Sequence, residues 1–394
     1  MTIGRQRVHS QSALTGTNIA PVEILCEGSQ TIHSGIPGEA GPLYTRLVAT
    51  AVGGPNHGAL LLTAELYRDI GESGPVFPIW KSRDNGVTWT HIADVRDERF
   101  GFGNRYQPSL YELPHAFGGL SRGALLLVGS AIPDDMSETH LVLYVSEDCG
   151  QAWKFCSEVD SGGPAIYSAD SKATTTAVWE PNVYLAGDQL VCVYADERYK
   201  DQAMLQAIVH RTTTDLKTWS DRVIDFGVPD QSTRPGMFVC SGQLPDGTYV
   251  GVIEVVGPSD VPVHLCSSTD GLDWGVVEHL GERLVAADGT VLSGSPNIHW
   301  RQGPDGRLEL LVTGRLSLSG DGSPTNMALY SPTGIWGDWQ SIPLPVHASR
   351  DLEADNSGYS QSLVWAADGF IIQATTVRNI SGSHDIVVAR ASIR

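Results

Sequence analysis

Apolar positions along the chain fall in short runs, each opened by a glycine turn and closed by a polar residue. The clearest read GALLLTAEL from Gly58, GALLLVGSA from Gly123, GDQLVCVYADE from Gly187, GTYVGVIEV from Gly247, GRLELLVTGR from Gly306 and GFIIQATTV from Gly369. Runs this short, rich in Leu, Val and Ile and bounded by Gly, Asp and Pro, read as buried strands rather than helices. Each is preceded by another apolar strand that begins near an X-Pro pair, so the unit is a strand pair repeated six times.

A second repeat runs in phase with the first. Ser82-x-Asp84-x-Gly86-x-Thr88-Trp89 recurs as Ser146-x-Asp148-x-Gly150-x-x-Trp153. Looser copies end at Trp219, Trp274 and Trp339, so successive Trp residues lie 55 to 66 positions apart. Asp and Ser side chains bond nearby N–H groups, Gly takes positive φ and Trp anchors the turn. That spacing suits a four-stranded sheet with its loops. The last unit, from about Tyr359, holds only three strands before Arg394 and lacks a turn Trp. Its fourth strand is expected from Val22–Gly28, which would close a ring and remove open edges. The expected fold is all-β: a six-bladed β-propeller, one domain over residues 1–394, with residues 1–20 an extended arm.

Composition narrows the function. The chain has 394 residues, 41% of them hydrophobic, which excludes disorder, and Gly 43 with Pro 22 suits many turns. Twenty-six Lys+Arg face 45 Asp+Glu, a formal net charge of −19. The field repels nucleic acid and anionic membranes, and no apolar run approaches the roughly 18 residues of a membrane span, so neither partner is expected. A neutral substrate and a monomer are expected. The polar N-terminus has no apolar signal region, so the protein stays in the cell or the sequence begins after a cleavage site. The six cysteines show no metal spacing and sit mostly in apolar strands, with one or two disulfides left open. No metal or cofactor is called.

In a propeller the site forms where inner strands meet the axis. Counting seven residues from each turn Gly gives Glu65, Ser130, Tyr194, Glu254, Thr313 and Thr376, all polar at the end of an apolar run. The inner-strand starts give Gln107-Pro, Glu180-Pro, Arg234-Pro and Ser295-Pro, with Arg46 and Tyr359 near the same position in the first and last units. Glu180 and Glu254 stand alone in apolar strands, where a carboxylate is costly unless paired. Together they make a candidate acid/base or acid/nucleophile pair. The plain alternative is that each only pairs with an arginine such as Arg46, Arg234 or Arg315. Tyr44, Tyr106, Trp179, Tyr194 and Tyr359 could supply faces on which sugar rings stack; taken singly, ordinary packing between blades is the better reading of each.

The turn repeats resemble the Asp boxes of the sialidase-like superfamily. The stretch Trp179-Glu180-Pro, Tyr194-Ala-Asp196-Glu197, Arg234-Pro-Gly236-Met237 and Ile253-Glu254 is similar to glycoside hydrolase family 93, the exo-α-1,5-L-arabinanases. The resemblance implies a six-bladed propeller that removes arabinobiose from linear arabinan with retention. It implies Glu180 and Glu254 as catalytic residues, with a lean to Glu180 as nucleophile and Glu254 as acid/base. Arg46, Glu65, Tyr106, Trp179, Tyr194, Asp196, Arg234 and Tyr359 would bind substrate.

Three other readings compete. A sialidase would need three arginines, for which Arg46 stands ready and Arg198, Arg234 or Arg315 would have to follow, with Glu65 orienting, Asp69 as acid and Tyr359 as the tyrosine. A lyase acting on uronate sugars would want a cationic clamp, against which the mouth looks too acidic. A non-catalytic carbohydrate-binding propeller would satisfy one glutamate with arginine and place no second carboxylate in reach.

Overall fold

Residues 22–39, 41–52, 57–66, 74–166, 174–348 and 356–394 are described by the computed structural model. The apolar runs form strands as their pattern predicts, and they assemble in chain order into four-stranded antiparallel sheets. The first sheet holds Leu43–Ala49, Leu60–Glu65, Phe77–Ser82 and Thr90–Val95. Four more follow the same plan, with first strands Asn104–Glu112, Val178–Ala186, Arg234–Gln243 and Asn297–Gln302. The sixth joins Ser362–Trp365, Ile371–Arg378 and His384–Ile393 to the N-terminal strand Ile24–His33, which pairs with His384–Ile393. The expected Val22–Gly28 strand is therefore found and runs longer. A small three-stranded sheet of Val291–Ser293, Leu316–Leu318 and Pro324–Thr325 was not foreseen. Among the described residues a single 3-10 turn, Lys200–Gln202, is the only helix, and none is long and apolar enough to cross a membrane.

The core is divided, because each sheet is apolar on both faces and packs on the next. One cluster around Leu127, Phe77 and Ile79 joins the first two sheets, and another around Leu143, Val183 and Val209 joins the second to the third. The series continues to a cluster of Leu62, Ile372 and Val388 between the sixth sheet and the first. The first strands of consecutive sheets touch one another, and Leu43–Ala49 touches both Asn104–Glu112 and Ser362–Trp365. This is a propeller-like arrangement.

The Asp turns form as expected between third and fourth strands. In the second sheet, Asp148 accepts the N–H groups of Gln151 and Ala152 at 3.1 and 2.9 Å, and Trp153 Nε1 donates to Gly150 O at 3.0 Å. The third copy has Leu216, not Gly, at φ 65°. All six cysteines are free, which answers the open disulfide question.

Candidate active site

Every first strand carries one residue in the left-handed region near its start. These are Tyr44, Gln107, Glu180, Met237, Ser295 and Ser360, with φ between 43° and 59°. In the first four sheets the ladder register shifts at this residue, so each is a bulge that re-aims backbone and side chain. The bulged N–H groups are taken up by side chains of the neighbouring sheet. Gln107 N–H donates to Glu65 Oε2 at 2.9 Å, and Glu180 N–H to Gln107 Oε1 at 3.0 Å. Met237 N–H donates to Glu180 Oε2 at 2.7 Å, and Ser295 N–H to Glu254 Oε2 at 2.6 Å. Both glutamates are buried, and each carboxylate has one oxygen held by a backbone donor.

Gly236 measures the space between them. A methyl group on its Cα would lie 3.1 Å from Glu254 Oε1, 3.2 Å from Gln206 Nε2 and 3.4 Å from Glu180 Oε2. Two radii meeting at one point cap the separation of these carboxylate oxygens at about 6.5 Å. Retaining glycosidases hold their carboxyl groups about 5–5.5 Å apart and inverting ones about 6.5–9.5 Å, so the cap falls on the retaining side.

Burial pushes the Glu180 carboxyl up to about 7, helped by the charge of Glu254 and opposed by Arg234 and the Met237 N–H. Glu254 is also raised by burial, against the pull of the Ser295 N–H, Arg234 and Arg315. Both carboxyls are thus raised, and the pair holds on to a proton that two ordinary surface carboxylates would lose.

Around the pair, Tyr359 and Tyr44 stand with ring centroids 5.9 Å apart. Burial and the charges of Glu180, Glu254 and Glu65 drive the Tyr359 hydroxyl well above its ordinary range. Arg46 is buried, lies 4.4 Å over the Tyr44 ring and donates to Ser360 O at 3.1 Å. Arg234 Nη2 meets buried Glu197 Oε1 at 3.1 Å. Tyr106 lies 6.4 Å from Trp179, beside Glu65.

Two predicted binding residues go elsewhere. Tyr194 donates its hydroxyl to Asp160 Oδ2 at 2.5 Å, and Asp196 accepts Arg198 Nε at 2.8 Å, in a cluster that Arg222 completes at 2.7 Å from Asp160. The count from the turn glycine is at fault. Leu43, Tyr106 and Gly236, each just before a bulge, pair with Glu65, Ser130 and Glu254, but Trp179 pairs with Ala195. Gly187 opens its turn one residue early, and a one-residue slip sends a side chain to the other face. In the fifth sheet Asn297 pairs with Thr313 as Val239 pairs with Val252, so Arg315, not Thr313, matches Glu254. The bulge likewise matches Met237, not Arg234, to Gln107 and Glu180.

Sequence reasoning missed Gln107 as a link, Gln206 beside Gly236, and Glu197 as the partner of Arg234. Gln107 showed only as an inner-strand start, Glu197 left a trace as an acid beside Asp196 at a strand end, and Gln206 left none. Asp69 lies outside the described residues, as do residues 1–20 and parts of the loops 69–77 and 162–176. Among the described residues no group of three or more His, Cys, Asp or Glu side chains could hold a metal ion.

No protein-family model and no curated protein sequence matches the chain. Solved structures do. A Penicillium chrysogenum α-L-arabinanase complexed with arabinobiose is 30% identical, with 93% of this chain and 98% of that one covered and a TM-score of 0.78. A family 93 α-L-arabinofuranosidase of Fusarium graminearum with arabinobiose is 28% identical over 93% and 97%, TM-score 0.76. A Hadza microbial sialidase, 14% identical over 92% of this chain and 68% of its own with TM-score 0.57, shares the fold alone. With bulged inner strands, a buried carboxylate pair and 30% identity to an arabinanase along almost its whole length, the chain belongs to glycoside hydrolase family 93.

Proposed function

We propose that this glycosidase is an exo-acting arabinanase, releasing arabinobiose from linear α-1,5-arabinan with retention of configuration. It folds as one six-bladed propeller, closed where Ile24–His33 joins the last blade. The reading rests above all on the two buried carboxyl groups, from neighbouring sheets, with oxygens no more than about 6.5 Å apart. Relatives bound to arabinobiose support the substrate and its length.

Glu180 is assigned as nucleophile and Glu254 as acid/base. Glu180 sits on the first strand of its sheet, at the bulge, and is assigned the attack on the anomeric carbon. Glu254 stands on the second strand of the next sheet, where a methyl group on Gly294 would lie 3.7 Å from its Oε2, and is assigned the leaving oxygen. In the first step Glu180 attacks, the glycosidic bond breaks and Glu254 gives its proton to the leaving oxygen. Glu254 then takes a proton from water, which displaces Glu180 from the covalent intermediate. The pair retains one proton, and the reaction requires it on Glu254 as the glycosidic bond breaks. Tyr359, Tyr44, Arg46, Glu65, Trp179, Tyr106 and Arg234 line the mouth and set the sugar's position.

The test is product analysis on debranched linear arabinan, with sialyllactose beside it. Arabinobiose from the wild type, with activity down at least about 10³-fold in Glu180→Gln and in Glu254→Gln, is expected. Released sialic acid would replace this reading with a sialidase. With an activated aryl arabinofuranoside, azide should rescue Glu180→Gly to the inverted azide and Glu254→Gly to the retained one. The opposite pairing would exchange their roles.

A further inference from the structure

A cavity of about 850 Å³ opens at the other end of the propeller, where the innermost strands finish. All six blades line it, through Ala49, Glu112, Leu185, Gln243, Gln302 and Ala366 among others. Leu185 lies five residues along its strand from Glu180, roughly 15 Å away. A belt of buried side chains separates the two mouths. Asn182 Nδ2 donates to Ser109 Oγ and Asn182 Oδ1 accepts the Cys240 N–H, both at 3.2 Å. Asn297 Nδ2 donates to Ser362 Oγ at 3.2 Å, and that hydroxyl donates to Thr45 O at 3.1 Å. The far cavity is thus not an extension of the catalytic mouth.

Several of its polar groups are engaged within the protein, and His57 and His115 stand at its wall. Glu112 Oε2 accepts the N–H groups of Ala51 and Val52 at 2.8 and 3.1 Å. Arg301 Nε meets Glu309 at 2.5 Å, and its guanidinium lies 4.6 Å over the Trp365 ring. Burial holds His299 neutral, down to about 4. What remains for a ligand is the half-buried faces of Tyr111 and Trp300 and the amides of Gln243 and Gln302. Aromatic faces beside neutral amides, with Arg301, the one Arg or Lys of the lining, already paired to Glu309, suit a neutral polyhydroxyl ligand better than an anion.

We infer that this far mouth is a second carbohydrate site, taking a segment of neutral oligosaccharide and holding the polymer while another chain end is cut. The sugar's identity rests on the arabinan reading; the ligand class does not.

The test is calorimetric titration of full-length Glu180→Gln, which binds without cleaving, with linear arabinoheptaose and with a panel of neutral xylo- and galacto-oligosaccharides. Two sites per chain are expected with arabinoheptaose. Trp300→Ala, and separately Ala367→Trp, which fills the mouth from an exposed position, should leave one. In the otherwise wild-type enzyme the same changes should leave kcat/KM on arabinotriose within twofold and raise the apparent KM on arabinan at least threefold. A single site in the parent, or two sites persisting in Ala367→Trp, overturns the proposal. If the wild type cuts no arabinan, the arabinan reading fails alone. The far mouth then stands if a neutral oligosaccharide from the panel binds and is lost in Ala367→Trp, and falls if none does. An anionic oligogalacturonate should not bind, and binding abolished by Ala367→Trp would overturn the neutral class.

Discussion

Two carboxyl groups buried against each other cannot both ionise without cost, and burial raises both Glu180 and Glu254. The Glu180 carboxyl rises from 4.5 to about 7, first through burial and then through the charge of Glu254. Below pH 4.5 it is protonated folded or unfolded, and nothing is lost. Between 4.5 and 7 the unfolded chain gives up the proton while the folded site keeps it, so stability falls as pH rises. Above 7 the penalty is complete, about 3 kcal/mol at 1.36 kcal/mol per pKa unit. Glu180→Gln keeps the shape and removes the charge. Its melting temperature should exceed that of the wild type by a margin that grows from pH 4.5 to 7 and is constant above. A margin independent of pH would show that Glu180 carries no raised pKa. Activity and stability would then diverge in one variant, as expected where a site is built from buried charge.

The inner strand is the element that makes the site. A non-glycine residue in the left-handed region costs of order 1 kcal/mol, yet all six strands hold one near their start. The bulge turns an N–H inward at each of four of these positions to meet a side chain from the neighbouring blade. It thereby locks Glu65, Gln107, Glu180 and Glu254 by hydrogen bonds to backbone, which does not move with side-chain rotamers. Gly236, just before the fourth bulge, needs its missing side chain for another reason. A methyl group there would press on Glu254 Oε1 and Gln206 Nε2 and touch Glu180 Oε2 at ordinary contact distance. Gly236→Ala should fold, since the backbone there needs no positive φ, but displace Glu254 by a few tenths of an ångström. A shift near 1 Å costs about 10²-fold, so this smaller one should lower kcat on an aryl arabinofuranoside by about tenfold with little change in melting temperature. Activity within threefold of wild type would mean the pair has more room than described.

At the scale of the whole molecule, the chain returns to its start. Ile24–His33 supplies the outer strand of the last blade and covers the edge of His384–Ile393. Removing residues 1–33 would expose a long paired edge and one side of the Leu62, Ile372 and Val388 cluster. The truncated protein should aggregate or lose cooperative melting, and a separately supplied peptide of residues 22–34 should recover part of the soluble fraction. A monomeric, fully active truncation would show that the ring does not depend on this strand. The two mouths also belong to this scale, since every blade contributes to each.

Much of the design is local and therefore legible. The alternation of turn glycine and apolar run specifies strands because short Leu, Val and Ile segments between turn residues have no helical stripe to bury. The Ser-x-Asp turns are written in neighbouring side chains, and Glu180 and Glu254 announce themselves as charges in apolar strands. Register is another matter. Whether Tyr194 or Ala195 reaches the axis depends on where Gly187 sits within its turn, and strand faces alternate with period two, so one residue reverses the answer. Register also hid Arg315, two residues beyond Thr313 on the same face, and the bulge hid Met237, three residues beyond Arg234. Partnerships such as Glu197 with Arg234, Tyr194 with Asp160 and Gln107 with Glu180 join residues far apart in the chain. Only packing blade against blade brings them together, and only that packing opens a second mouth beneath the first.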